Sequence, residues 1–232
     1  VIIGTGAGGG VLGHELAKQG IPVVAREAGG NHQPEDFIND EWESFAQLAW
    51  LDMRTTSGTW RVARDFPNLP AWIVKAVGGT STHCAGASIR FQEHEWKALS
   101  TYGPVQGANL LDWPIGHEEM APWYDKAEAK MGVTRTGGRP GLPGNNNYKV
   151  FEAGAKKFGY QSVDTGTMAI NAVDYDDRIA CRQTGFCFQG CKWGAKWSTA
   201  YTDVPRAVDS GNYELRTGCM ALRIEHDDKG RA

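Results

Sequence analysis

Three stretches of the chain carry residues whose types and spacing can do chemistry. The first is Gly4-Thr5-Gly6-Ala7-Gly8-Gly9-Gly10, preceded by Val1-Ile2-Ile3 and followed by Val11 to Gly20. Gly4, Gly6 and Gly9 fill the G-x-G-x-x-G spacing. In that pattern the glycines provide a tight turn, a close backbone approach to a pyrophosphate and close packing of helix on strand. A helix starting there offers N–H groups and the positive end of its dipole to phosphate. A second apolar run, Ile21-Pro22-Val23-Val24-Ala25, ends at Arg26-Glu27. Glu27 stands near the separation of about 20 residues at which an acid hydrogen-bonds a ribose diol. An acid suits an unphosphorylated ribose, so these residues predict NAD or FAD rather than NADP.

The second stretch is Gly78-Gly79-Thr80-Ser81-Thr82-His83-Cys84, led in by the apolar run Trp72 to Val77. Paired glycines let backbone press against a ligand, and Ser and Thr hydroxyls can satisfy phosphate or flavin oxygens. The third is Cys181-x5-Cys187-x3-Cys191, interleaved with Gly185, Gly190 and Gly194. Glycines in such a loop let it wrap a ligand and aim N–H groups at sulfur.

The elements that must position these groups follow from periodicity. Val1–Ile3 reads as a strand. Val11 to Gly20 reads as a helix with Val11, Leu12, Leu16 and Ala17 on one face and Gly20 as its stop. Ile21–Ala25 is the next strand, completing a βαβ unit. Glu118–Met131 reads as a helix with Pro122 near its first turn. Tyr148–Phe158 is a helix with Val150, Phe151, Ala155 and Phe158 on one face, closed by Gly159. Asp203–Asp209 is helical and ended by Gly211, with a strand beginning at Asn212. Ala221–His226 alternates like a strand, leading into a hairpin turn at Asp227–Gly230. Glu35–Met53 is acidic and aromatic, and Thr55–Pro70 reads as a polar surface excursion.

At 232 residues the chain can build one large or two small domains. A net charge of −3 speaks against a nucleic-acid partner. No stretch reaches the roughly 20 apolar residues of a membrane span. Thirty glycines and nine tryptophans suit a loop-rich protein with close backbone approaches. The short lead strand, and a hairpin turn followed only by Arg231 and Ala232, predict the N-terminal part of a longer protein.

Val77-Gly78-Gly79-Thr80-Ser81-Thr82-His83 resembles the flavin-contacting segment of glucose–methanol–choline (GMC) oxidoreductases. Asp112-Trp113-Pro114-Ile115, Met120-Ala121-Pro122-Trp123-Tyr124, Ala127-Glu128 and Gly132-Val133 are similar to a second stretch of that family. The resemblance implies an α/β fold, a Rossmann-like FAD-binding domain of GMC type with irregular, loop-rich insertions and most of an α+β substrate domain missing. It divides the chain into a first βαβ unit (1–30), the FAD-binding domain with its lid and flavin-contacting loop (31–110), a helical substrate-domain excursion (111–180), and the cysteine loop with a return to the FAD-binding domain (181–232). By the same resemblance the cofactor is FAD: Gly4, Gly6 and Gly9 hold its pyrophosphate and Glu27 its adenosine ribose. Gly78, Gly79, Thr80, Ser81 and Thr82 lie along pyrophosphate and isoalloxazine, and the backbone of Ala221 meets the adenine. In some members a histidine at the place of His83 carries the flavin covalently. Covalent attachment and a plain hydrogen bond at His83 both stay open, and Cys84 stands where those members commonly have tryptophan.

Four readings compete for Cys181, Cys187 and Cys191. Similar spacing in the catalytic subunits of bacterial FAD-dependent sugar and polyol dehydrogenases implies a three-iron 3Fe-4S cluster, with Lys192 offsetting its charge. Structural zinc needs four ligands, and no fourth lies close in sequence. A disulfide is odd among three clustered cysteines. An empty cysteine loop also occurs in alcohol-oxidase relatives.

The implied activity is oxidation of a sugar, polyol or other alcohol by hydride transfer to flavin, while a base within about 2.6–3.2 Å takes the hydroxyl proton. The family's histidine base lies in a C-terminal part this chain does not contain, and His14, His32, His94, His117 and His226 do not match its motif. Electrons would pass through the cluster to a cytochrome or quinone, with a small chaperone-like subunit as partner. Relatives with such a loop work at the bacterial periplasmic face. The alternatives are an oxygen-reducing alcohol or sterol oxidase, and a non-catalytic cofactor-binding subunit.

Overall fold

The computed structural model of the chain describes residues 1–43 and 74–230. The reading of Thr55–Pro70 lies outside these residues, as do Trp72 and Ile73 of the apolar run and most of Glu35–Met53. The chain divides into two compact units, one of residues Val1–Gly86 and Arg182–Ala232, the other of Ala87–Cys181.

The first unit is built on a parallel sheet of β1 (Ile2–Ile3), β2 (Val23–Arg26) and β3 (Tyr213–Arg216), in that order. Ile2 pairs with Ala25, and Val23 with Tyr213. Helix α1 (Ala7–Lys18) joins β1 to β2. It ends as its sequence dictates, with Gly20 at φ +78° and its N–H on the Ala17 carbonyl at 3.0 Å. The helix buries only part of the face expected for it: Ala17 is buried and Leu16 packs against the core. Leu12 is 54% exposed, and the buried residues are Gly10, Gly13 and Ala17. The reason is proximity: a Cβ at Gly10 would stand 2.6 Å from Thr199 Cβ, and one at Gly13 would stand 2.5 Å from the Tyr213 ring. Small residues let α1 lie against the sheet, and Leu12 turns outward.

Helix α6 (Asp203–Asp209) packs on α1, and β3 follows it through Gly211, as expected. Val204 and Ala207 join Ile2, Ala17, Val23, Ala25 and Tyr213 in the core. His14 Nδ1 meets Asp203 Oδ1 at 3.0 Å and pins the two helices. Residues Ala221–His226 form no strand. A strand needs a ladder partner, and none adjoins them among the described residues. The following turn does form: Gly230 N–H reaches the Asp227 carbonyl at 2.9 Å, and Lys229 N–H reaches Asp227 Oδ1 at 2.9 Å.

The second unit contains α2 (Glu93–Trp96), α3 (Ala98–Tyr102), α4 (His117–Met131) and α5 (Asn146–Lys157). Arg90 binds Glu128 through Nε at 2.6 Å and Nη2 at 2.5 Å, and reaches Asp125 at 2.6 Å, anchoring α4. Pro122 lies inside α4, just past its first turn. Asp112 of the Asp-Trp-Pro-Ile stretch accepts from Ser100 N–H at 3.0 Å and so holds α3. Helix α5 is capped by Asn145 Oδ1, which accepts from Tyr148 N–H at 2.9 Å. Its expected buried face is largely open: Ala155 is buried, but Val150 is 75%, Phe151 67% and Phe158 88% exposed.

Candidate cofactor site

The two glycine-rich turns, far apart in sequence, meet at the C-terminal end of β1. Gly4 takes φ +82° and donates its N–H to the Arg26 carbonyl at 2.8 Å, turning the chain sharply out of the strand. Gly6 is the N-cap of α1, which has no side-chain cap and no acid in its first turn. The helix thus begins with backbone donors that an anion would satisfy. Gly78, at φ +88°, starts the second turn, and Gly79–Thr82 form a single 3₁₀ turn. A Cβ on Gly79 would fall 3.0 Å from the Gly6 Cα, so the close approach of the two turns relies on Gly79 lacking one. Gly9 plays the packing part: its Cβ would lie 2.0 Å from the Gly4 carbonyl oxygen.

Gly4, Gly6, Glu27, Gly79 and Ala221 line one cleft of about 230 Å³, joined there by Cys219. Ligand pockets for whole small molecules run to about 300–1,000 Å³, so this cleft suits one end of an extended dinucleotide. The backbone cradle, the open helix N-terminus and the acid fit the adenosine–pyrophosphate portion of FAD. A larger groove of about 580 Å³ runs along α5 in the second unit, lined by Phe151, Phe158, Tyr160 and Asp164. Its acid is taken, since Asp164 pairs with Arg135 at 3.1 Å, and none of the expected cofactor residues is there.

Glu27 is buried and turned toward its own turns. Oε2 accepts from Thr5 N–H at 3.0 Å and from Thr5 Oγ1 at 2.8 Å, and Oε1 accepts from Gly29 N–H at 3.0 Å. A carboxylate has about four acceptor positions, so three local bonds leave room for a ribose hydroxyl. Thr5 also accepts from Gly78 N–H at Oγ1 (3.2 Å) and from Thr199 Oγ1 at its carbonyl (2.7 Å). It therefore ties the first glycine turn to the second.

The Ser81 and Thr82 hydroxyls of the second turn are spent within the protein. Ser81 Oγ donates to the Gly78 carbonyl at 2.6 Å and meets Ser198 Oγ at 2.9 Å, and Thr82 Oγ1 donates to the Gly79 carbonyl at 2.7 Å. Thr80 is exposed. His83 is 3% exposed, and its Nδ1 lies 2.7 Å from the Phe188 carbonyl. A carbonyl only accepts, so Nδ1 carries the proton and Nε2 keeps its lone pair. Burial above all lowers the His83 pKa to about 4, so the ring is neutral near neutral pH.

The cysteine loop is the partner His83 reaches. Cys187–Gln189 form a 3₁₀ turn, and Cys191 Sγ accepts from Lys196 N–H at 3.4 Å. Beside it the Lys196 side chain, 0% exposed, donates from Nζ to the carbonyls of Cys84 at 2.6 Å, Thr82 at 2.9 Å, Cys187 at 2.9 Å and Ser81 at 3.3 Å. Burial pushes its pKa down, while the sulfurs of Cys84, Cys187 and Cys191 act the other way. Among the described residues no three His, Cys, Asp or Glu side chains gather to hold a metal ion, and no disulfide joins the cysteines. Cys191 sulfur takes a backbone donor, and Cys181 is counted with the second unit. The buried cation of this loop is Lys196, whereas Lys192 is exposed. Sequence reasoning passed over Thr5 and Lys196. The one signal for Lys196 is a lone charge inside the compact run Gly194 to Ala200.

The family model described as GMC oxidoreductase matches residues 7–232. Over 98% of its length the chain is 30% identical to paromamine 6'-oxidase of Streptomyces fradiae, covering 41% of that protein. It is 26% identical over its full length to the fructose dehydrogenase large subunit of Gluconobacter japonicus, covering 47% of it. Cholesterol oxidase of Acinetobacter baumannii is 31% identical over 95% of the chain, which spans 44% of that enzyme. The chain therefore spans less than half the length of these relatives.

Proposed function

Because the chain belongs to the GMC oxidoreductase family, we propose that it forms the FAD-binding part of an enzyme that oxidises an alcohol group on a sugar, polyol or other alcohol. The observation that carries this reading is the convergence of Gly4, Gly6, Gly79, Glu27 and Ala221 on one cleft. FAD, when bound, supplies the hydride acceptor. The chain's own residues hold it: the first-turn N–H groups of α1 and the Gly4–Gly6 backbone at the pyrophosphate, Glu27 at the ribose, and Ala221 backbone at the adenine. Gly78 to Thr82 present backbone to the flavin end, the Ser81 and Thr82 hydroxyls being used to keep the turn in shape.

His83 is the residue through which FAD would be attached covalently. Support comes from its neutral ring and from a fixed tautomer that leaves Nε2 as the nucleophilic nitrogen. The proton acceptor of the alcohol is assigned to no residue of this chain. His14 is engaged by Asp203.

For the electrons, the first reading is transfer by way of an iron–sulfur cluster at the cysteine loop to a cytochrome or quinone, with a small subunit as partner. It rests on the spacing of Cys181, Cys187 and Cys191 and on a buried cation beside Cys84, Cys187 and Cys191. The second is direct reduction of oxygen, supported by oxidases among the relatives.

The deciding experiment is an optical spectrum with metal analysis on anaerobically purified protein, followed by acid precipitation. Flavin bands are expected, with flavin staying on the pellet if His83 is the attachment point and released if it is not. Iron with broad absorbance beyond the flavin bands supports the cluster, whereas iron-free protein that makes peroxide under air supports the oxidase. Folded protein that takes up no FAD sinks the whole reading.

A further inference from the structure

Lys196 is an ammonium sealed inside the first unit, and its partners among the described residues are carbonyls. Its strongest bonds go to Thr82, Cys84 and Cys187, at 2.9, 2.6 and 2.9 Å. Thr82 and Cys84 are the residues on either side of His83, and Cys187 precedes Phe188, whose carbonyl takes the His83 Nδ1 proton at 2.7 Å. A closed circuit results. The backbone on both sides of His83 is bolted to the cysteine loop through one ammonium, and the imidazole is bolted to the same loop one residue further on. The main chain of Lys196 is itself fixed, its N–H on Cys191 Sγ at 3.4 Å and its carbonyl under Tyr201 Oη at 2.7 Å.

Burying an ammonium is expensive, and an apolar side chain of similar length would fill the space at less cost. Such a side chain could not hold three carbonyls from two separate segments in one geometry, which takes the three diverging donors of a lysine. No carboxylate acts on the Lys196 ammonium among the described residues, so an ion pair is not its purpose. We propose that Lys196 is a positioning residue: it clamps the flavin-contacting turn to the cysteine loop and thereby fixes the direction in which His83 Nε2 points. The clamp couples the two segments mechanically, so a change in the cysteine loop is felt at the flavin turn. This builds on the FAD-binding reading.

The test compares wild type with Lys196→Met in FAD affinity and in the imidazole ¹⁵N signature of His83, with His14→Ala as a control that loses stability away from the clamp. Lys196→Met is expected to bind FAD about ten-fold more weakly or worse, as the loss of several buried hydrogen bonds implies. It is also expected to lose the single Nδ1–H tautomer, while His14→Ala keeps both. A folded Lys196→Met protein with wild-type FAD affinity and an unchanged His83 tautomer overturns the proposal. Should that variant not fold, native-state hydrogen exchange on wild type decides. The amides of Ser81–Cys84 and Cys187–Gln189 must open together with one denaturant dependence, and independent opening overturns the clamp. Wild type that binds no FAD refutes the cofactor reading alone, since tautomer and exchange still report on the clamp.

Discussion

At the scale of single residues the site is defined by groups whose polar atoms are used locally. Glu27 serves Thr5 and Gly29 before it can serve a ribose. Glu27→Ala is expected to leave those buried donors unpaired, at a loss of about 1–3 kcal/mol in stability, together with weaker FAD binding. Urea unfolding and a flavin titration check both. His83 gives a pH dependence whose sign follows from its lowered pKa. The unfolded chain takes up a proton near the ordinary value of 6.5, the folded chain only near about 4. The contribution of His83 to stability is therefore complete above about 6.5 and is lost as pH falls through that window, amounting to up to about 3 kcal/mol. Urea midpoints measured across this range should fall in wild type and fall less in His83→Gln. Equal slopes in the two proteins would count against a buried neutral imidazole.

At the scale of elements, α1 shows how a cofactor helix is seated. Its contact with the sheet and with Thr199 tolerates no Cβ at Gly10, whereas Gly8 has nothing within 4 Å. Gly10→Ala is expected to cost about 1–3 kcal/mol through overpacking. Gly8→Ala is expected to be neutral or to stabilise the cofactor-free chain by up to about 1 kcal/mol, through helix propensity. Thermal unfolding of the pair distinguishes steric seating from propensity, and a similar loss in both would contradict the packing described. Helix α5 is the opposite case, held by its Asn145 cap and Ala155 while its aromatic side chains face outward. Phe158→Ser should change stability by no more than about 0.5 kcal/mol, as for an ordinary surface position. A large loss in chemical denaturation would show that the side chain is covered.

At the scale of the whole molecule, the cleft and the clamp both belong to the first unit. FAD at 100 times its dissociation constant should stabilise the protein by about 2.7 kcal/mol. Slowed hydrogen exchange should concentrate at Gly4–Gly10, Glu27–Gly29, Gly78–His83 and the segment around Ala221. Protection appearing instead along α5, beside the larger groove, would move the ligand to the second unit.

Much of the first unit was legible in the order of residues. Periodicity and glycine placement mark the βαβ start, the stop at Gly20, the Asp203–Asp209 helix and the strand after Gly211, because each depends on bonds within a few residues of itself. The glycine spacing and Glu27 likewise announce a dinucleotide site, since a turn with φ above zero and an uncapped helix start are local properties. Tertiary contact decided the rest. Leu12 turns outward because Thr199 and Tyr213 come too close to α1 for a larger side chain. Ala221–His226 forms no strand because a strand is made by its partner. The Ser81 and Thr82 hydroxyls face inward because Gly78, Gly79 and Ser198 carry the oxygens nearest to them. Which cation is buried beside the cysteine loop, Lys196 and not Lys192, depends on carbonyls contributed from residues 81 to 84, and no pattern along the chain can say which distant carbonyls will converge on one ammonium.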